Sequence, residues 1–421
     1  MAWIRVSGPG SADIVQRLCG RQPADRRAVH VRLQDAAGPF DEGIVLWLPG
    51  PHTYTGEDMA EVSCHGNPVI VRRLVSACTD AGARLAEPGE FTRRAFLHGR
   101  LDLTRAEAVL QAIEARTPRG AALAIRGLSG EVADWIEAVR RRILDLGAEI
   151  EASLDFPEEA TPGSVGEALA ALAREIRATA ETTRTGQASV HGARVGLVGP
   201  VNAGKSSLFN ALLGRTRALV DPAPGTTRDV LEATLDVAGV EVTLLDTAGQ
   251  GRAGSPLEAR GQALRDEALE DADLLVVVLP AHRLDRPEVA ASLAHSEGRP
   301  RILVGNHADR AGARFSLSGL DLLPTCALDG RGIDALKAAL QDALVGEDPA
   351  GPWLASARQQ ALLSAVARNL EAALAAWNGD AGPAVAAEEV LEALDHLGAV
   401  DGRNVREDVL DTLFARFCIG K

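Results

Sequence analysis

Lysine is scarce in this 421-residue chain: only Lys205, Lys337 and Lys421 occur, and arginine fills nearly every other basic position. A lysine that survives in such a background points to a place where a planar guanidinium will not serve. Long apolar runs are missing too, and Met1 to Gly8 has neither a basic stretch nor a long apolar one. Neither a membrane span nor an export signal is therefore indicated, and a cytoplasmic location is expected. The five cysteines (Cys19, Cys64, Cys78, Cys326, Cys418) are an odd number without C-x-x-C spacing, which argues against a disulfide framework or a zinc knuckle and for reduced thiols. Positive charge is in deficit, with Lys+Arg 44 against Asp+Glu 58 and a formal net charge of -14. That balance excludes an indiscriminate nucleic-acid binder, so any RNA contact must be local. What is present is ordinary globular composition, 46% hydrophobic with a mean hydropathy of +0.01, and enough chain for two or three domains.

Short β-like runs (Ile4 to Val6, Ile44 to Leu48, Met59 to Ser63) and a helix-like segment near Val69 to Ala81 predict a small α+β domain, punctuated at Pro88-Gly89. From about Thr92 the pattern turns helical. Val132, Ile136, Val139, Ile143, Leu146, Ile150 and Leu154 follow steps of three and four, and this helix should stop near Asp155-Phe156-Pro157. A further helix is predicted from Val165 to about Thr183, leading through Gly186 and Gly192 into a strand at Val195 to Val198. Apolar strands (Val195 to Val198, Val240 to Leu245, Leu274 to Leu279, Ile302 to Val304) then alternate with helical segments, the pattern of a doubly wound α/β domain, and helix returns after residue 353. The expected architecture is an α/β domain (191–348), which the motifs below make a P-loop GTPase domain, inserted in an all-helical domain (93–190 and 349–421) and preceded by a small α+β N-terminal domain (1–92).

Gly199-Pro200-Val201-Asn202-Ala203-Gly204-Lys205-Ser206 matches G-x-x-x-x-G-K-[ST] between a strand and a helix expected over Ser207 to Leu213. Backbone N–H groups of such a loop cradle phosphates, Lys205 neutralises β/γ-phosphate charge, and Ser206 offers a hydroxyl to Mg²⁺. Asp246-Thr247-Ala248-Gly249 closes an apolar strand, placing a carboxylate where it can bind Mg²⁺ through water and an N–H where it can meet the γ-phosphate. Gly225-Thr226-Thr227-Arg228-Asp229 supplies a threonine suited to sensing Mg²⁺ and γ-phosphate. Asn306-His307-Ala308-Asp309 stands where Asn-Lys-x-Asp makes a site guanine-specific, the Asp accepting from N1–H and the 2-amino group, with His307 stacking as a lysine stem would. Cys326-Ala327 takes the usual Ser-Ala place, its backbone N–H receiving O6. Gln250 occupies the position of the water-orienting glutamine of Ras-type GTPases, in competition with Glu258.

With these motifs stand further blocks: Gly50-Pro51, Tyr54-Thr55-Gly56-Glu57-Asp58 and His65-Gly66; Pro88-Gly89-Glu90-Phe91-Thr92, Ala95-Phe96-Leu97 and Arg100-Leu101-Asp102-Leu103; Ala106-Glu107-Ala108; Asp155-Phe156-Pro157-Glu158-Glu159; and terminal Phe417-Cys418-Ile419-Gly420-Lys421. Together they resemble the MnmE (TrmE) family of tRNA-modification GTPases from about Trp3 to Lys421. The resemblance implies a homodimer whose N-terminal domain binds a 5-formyltetrahydrofolate-type one-carbon carrier and whose inserted GTP-hydrolysing domain is activated by K⁺-dependent dimerisation. It implies a flavin-dependent partner, MnmG (GidA), in a heterotetramer that modifies C5 of the wobble uridine of certain tRNAs. Residue by residue, it puts Asn202, the loop Asp221 to Pro224 with Ala223, and Thr226 around K⁺, and Ser206 and Thr227 on Mg²⁺. Glu258 matches the carboxylate that orients the attacking water. Arg5, Glu61, Arg100 and Lys421 match the folate site, where the family commonly has lysine at the Arg100 position. The family's Gly-rich stretch before the segment matching Ile4 to Gly8 is missing here, so either the recorded start is too late or the first strand and part of the folate pocket are lost.

Blander readings stand beside these. Glu258 fits a helix-surface glutamate, the folate residues fit solvated charges, and Arg140-Arg141-Arg142 fits a solvated face. Cys418 could attack uridine C6, but a cysteine near a helix end is more often a small buried hydrophobe. Two other functions are open: a ribosome-assembly GTPase of the Era/Der group, for which neither a KH-type loop nor a second P-loop is found, and a degenerate GTPase kept as a scaffold.

Overall fold

The computed structural model describes residues 1–155, 162–214, 231–246, 269–346 and 352–420. The chain begins with β1 (Ala2–Ser7), α1 (Ser11–Cys19), β2 (Ala28–Asp35), β3 (Gly38–Leu48), β4 (Met59–Cys64) and α2 (Pro68–Asp80). Helices α3 (Glu90–Leu97), α4 (Leu103–Glu114), α5 (Pro118–Ser129), α6 (Glu131–Asp155), α7 (Pro162–Glu181) and α8 (Thr183–His191) follow. Next come β5 (Ala193–Val198), α9 (Lys205–Leu213), β6 (Leu231–Val237), β7 (Val240–Asp246), β8 (Leu274–Pro280), α10 (Pro287–His295), β9 (Arg301–Asn306), β10 (Ser316–Leu317), β11 (Leu320–Asp321), β12 (Leu323–Pro324) and α11 (Ile333–Leu344). Helices α12 (Ala357–Asn378), α13 (Gly382–Asp401) and α14 (Glu407–Phe414) end the described chain. Two compact units result, one from Met1–Leu110, Leu128–Gly166 and Ala372–Lys421, the other from Gln111–Gly127 and Glu167–Glu371.

In the first unit an antiparallel sheet of order β1-β4-β3-β2 carries α1 and α2 over a core that includes Leu18, Leu33, Trp47, Val62 and Leu74. Helix α2 starts where Asn67 accepts a bond from the Val69 N–H at 2.8 Å, with Pro68 in the first turn, both favourable at a helix N-terminus. The long helix α6 buries the predicted row Ile136, Val139, Ile143, Leu146 and Ile150, each such side chain worth roughly 1.5–3 kcal/mol, and is described as far as Asp155; the predicted stop at Phe156-Pro157 lies outside the described residues. Leu154 departs from the row: at the last turn it is 45% exposed. Helix α13 lies against α6, Val390 meeting Gly147 and Asp401 pairing with Arg140 at 2.8 Å. Elsewhere in this unit α4 and α14 share the cluster Leu103, Ala106, Leu110, Leu410, Leu413 and Phe414.

The second unit is a six-stranded sheet, β12-β9-β8-β5-β7-β6, parallel except for β6. Every residue of β8 is buried, because Leu274, Val276 and Val278 enter the cluster under α9 and α11 while Leu275, Val277 and Leu279 enter the cluster with Val289 of α10. The helix predicted over 165–183 is α7, and a second helix, α8, follows where the sequence reading leads out into the strand. Gly186, expected to lead out of helix, lies inside α8, where a Cβ would fall 1.8 Å from the Leu354 carbonyl oxygen. Its role is close packing and not chain termination. Helix α1 and strands β2 and β6 are additional to the elements predicted.

Candidate nucleotide-binding site

β5 sits between β7 and β8, so its C-terminal end is the switch point of the sheet, the place where open α/β folds bind ligands. The loop from there to α9 turns through three residues of positive φ, Gly199 (143°), Asn202 (62°) and Gly204 (87°), a curl that gathers N–H groups at a helix N-terminus. Gly204 admits nothing larger: a Cβ would meet the Asn306 Nδ2 at 2.2 Å and the His307 Nε2 at 3.1 Å.

Lys205 is buried and donates from Nζ to the carbonyls of Gly199 at 2.8 Å and Pro200 at 3.0 Å. An ammonium has three protons, so one remains for a phosphate oxygen. Burial pushes Lys205 below the ordinary lysine range, while the charge of Asp246 works the other way. Asp246 is itself buried and ends β7 opposite Leu197 of β5. Ala203 is buried, Ser206 half-buried, and Asn202 and Ser207 exposed.

The base-reading residues converge at the ends of β9 and β12. Asn306 is fully buried, its Nδ2 donating to the Ala203 carbonyl at 2.8 Å, its Oδ1 accepting from the Ala327 N–H at 3.3 Å and the Thr325 hydroxyl at 3.4 Å. Asn306 thus braces the phosphate loop against the loop after β12. Cys326 donates from Sγ to Asp309 Oδ1 at 3.4 Å, and its N–H is taken by the Arg331 carbonyl at 2.9 Å. In the Cys326-Ala327 pair expected to offer a backbone N–H to O6, that of Cys326 is spent and that of Ala327, held at 3.3 Å by Asn306, is the one left to serve. His307 takes a positive φ of 64° and lies 5.3 Å, centroid to centroid, from His282, a residue that motif reading missed. Burial holds both imidazoles below their ordinary range, and the positive charge of Arg310 acts in the same direction. The signal for His282 was its position just past an apolar strand at the ligand-bearing edge of the sheet. Asp221, Ala223, Thr226, Thr227, Thr247, Ala248, Gly249, Gln250, Glu258 and Lys421 lie outside the described residues.

A family model described as MnmE helical domain matches residues 103–418, and one described as GTP-binding protein TrmE N-terminus matches residues 1–100. The chain belongs to the MnmE family. It is 41% identical to the tRNA modification GTPase MnmE of Myxococcus xanthus, over 99% of this chain and 95% of that protein. It is 39% identical to that of Halorhodospira halophila over 100% and 93%, and 38% identical to that of Azoarcus sp. over 99% and 94%. Membership sets aside the Era/Der reading, since the matched helical segment spans both flanks of the GTPase domain.

In the first unit, two of the four folate candidates are brought together. Arg5 and Glu61 are register partners on β1 and β4, and Arg5 donates from Nε at 3.0 Å and Nη2 at 2.7 Å to the same oxygen, Oε1. The Arg5 guanidinium also lies over the rings of Tyr54 and Phe91, at 5.4 and 5.6 Å. Arg100 is placed apart, donating to the Thr53 carbonyl at 3.1 Å. Arg5, Ser7, Arg84, Glu90, Phe91 and Arg94 help line a cavity of about 550 Å³. Cys418 is exposed, against the expectation of a buried hydrophobe, because α14 ends at Phe414 and Phe417 fills the core position instead. Among the described residues no helix is long and apolar enough to cross a membrane.

Proposed function

We propose that this GTP-hydrolysing enzyme works through a K⁺-activated, homodimeric cycle that serves modification at C5 of the wobble uridine of certain tRNAs. The observation that carries the reading is the Asn306 brace, which ties a lysine-bearing phosphate loop to the loop that presents Asp309, so that one site addresses both phosphate and guanine. Lys205 binds the β/γ-phosphates with its remaining proton. Ser206 and Thr227 would hold Mg²⁺, with Asp246 behind them through water, and the ion supplies charge neutralisation at the phosphates. Asn202, exposed at a positive φ, would hold K⁺ with Asp221, Ala223 and Thr226. Glu258 orients the attacking water, with Gln250 as its rival.

The 550 Å³ cavity supports a 5-formyltetrahydrofolate-type carrier: Arg5, Arg84 and Arg94 line it, paired with Glu61, Glu90 and Glu57 in turn, and would exchange or share those pairs with carrier carboxylates, while Glu61, behind Arg5 and outside the lining, keeps Oε2 for a ring donor. Arg100 and Lys421 complete that set. The working assembly is a cytoplasmic heterotetramer with flavin-dependent MnmG, and the division 1–92, 93–190, 191–348 and 349–421 is the domain plan. GTP turnover in KCl against NaCl at matched ionic strength tests the cycle. Turnover should rise steeply in K⁺, and Asn202→Lys should remove the response; equal rates in the two salts would overturn it. Mass spectrometry of wobble-uridine nucleosides from a deletion strain tests the tRNA role.

A further inference from the structure

Beside the phosphate loop lies a second cavity, about 320 Å³, walled by Pro200, Val201 and Asn202 on one side and by the β8–α10 connection on the other. Gly204, Lys205 and Ser206 do not line it, so it lies beside the phosphate cradle and shares with the nucleotide site only Asn202 and His307 and the outer wall of the loop. Arg283, Arg286 and Arg310 do, brought from two different loops, and among the described residues none of the three has an ion-pair partner. Glu288 is the one carboxylate in the lining. Helix α10 starts here with Arg286 as its N-cap and no side-chain cap, so its positive end adds to the field. His282 and His307 also line the cavity, and each has a buried Nδ1 that meets no hydrogen-bond partner. Val201, 58% exposed at the rim, is an apolar surface on which a sugar or base can rest.

The three arginines and the helix end favour an anion against the single carboxylate of Glu288, and the chain as a whole does not. With a net charge of -14, the surface at large repels a polyanion, and docking is confined to places where guanidinium groups are left unneutralised. We infer that this cavity receives a backbone phosphate of RNA, placing an RNA strand against the outer wall of the phosphate loop. The inference rests on the tRNA-modification reading. Arginine suits such a group because its fork matches two phosphate oxygens, and imidazole N–H groups supply further donors. An RNA strand seated here would touch Pro200 to Asn202 and so sense, or alter, the loop that holds the nucleotide.

The test is tRNA binding by the full chain carrying Arg283→Glu with Arg286→Glu, measured at several salt concentrations. Arg310 is spared because it adjoins Asp309. Affinity should fall at least about tenfold and the slope of log affinity on log salt should lessen by about 2, one per lost phosphate contact. GTP turnover without tRNA should stay within about twofold of wild type, which shows that the variant is folded. Arg174→Glu with Arg177→Glu, the same charge change on α7, should cost little affinity. No tRNA binding by the wild type overturns both this site and the tRNA reading. A wild-type complex that the Arg283/Arg286 reversal leaves intact, or that the α7 control weakens equally, overturns the site alone. So does a reversal that abolishes thermal protection by inorganic phosphate while sparing tRNA.

Discussion

Asn306 spends both ends of its amide inside the protein, which leaves Asp309 to read the base. Asp309→Asn replaces an acceptor pair by a mixed donor–acceptor pair facing N1–H and the 2-amino group, a mismatch of about 1–3 kcal/mol. GTP-over-ATP discrimination, measured by competition binding, should fall by about tenfold or more; unchanged discrimination would mean that the base is read elsewhere. His282 and His307 make a second residue-scale prediction. Burial depresses both folded-state values. As pH falls below about 6.5 the unfolded chain takes up protons that the folded chain still refuses, so stability declines with falling pH until the folded values are passed. Urea midpoints at pH 7.5 and 5.5 should show this loss, and His282→Gln should shrink it. For the attacking water, single-turnover hydrolysis in saturating K⁺ should slow by about 10² to 10⁴ in Glu258→Ala with nucleotide affinity kept, and little in Gln250→Ala; the reverse ranking would assign the water to Gln250.

At the scale of elements, Gly186 shows how one residue type misleads and then explains. Read along the sequence, a glycine followed by Gly192 and a β-like run is a helix exit. In space it is where α8 presses on the Leu354 carbonyl. Gly186→Ala would gain up to about 1 kcal/mol of helix propensity but must move a backbone oxygen, and overpacking of that kind costs about 1–3 kcal/mol, so a net loss in urea stability is expected. Stabilisation would show that the contact yields easily. Long amphipathic α6 and the apolar strands of the second unit were legible because their periodicity runs over many residues. Helix α1 is only Ser11–Cys19, and its clearest marker, Gly20 in a left-handed conformation at φ 71°, is a single residue that also fits a turn.

At the scale of the molecule, the phosphate loop was legible because its residues are consecutive, whereas His282, Thr325 and Arg331 join the site only through the strand order that sets β8, β9 and β12 side by side. Each unit has its own core, so GDP at about 100 times its dissociation constant should add about 2.7 kcal/mol to the unit that holds the phosphate loop and none to the other. Calorimetry should show one transition moving and one fixed. A single transition that moves as a whole would show that the two unfold together. The pairing of α6 with α13 has a further consequence, in time. Helix α6 leaves the ribosome roughly 230 residues before its partner, which at about 5–20 residues per second is about 10–50 s. For that interval Ile136, Val139, Ile143 and Ile150 have no α13 to cover them, while the sheet of the second unit is completed by chain made in between. The nascent protein therefore carries an apolar helix face without its partner helix through about half of its own synthesis, an interval that any pause in translation prolongs.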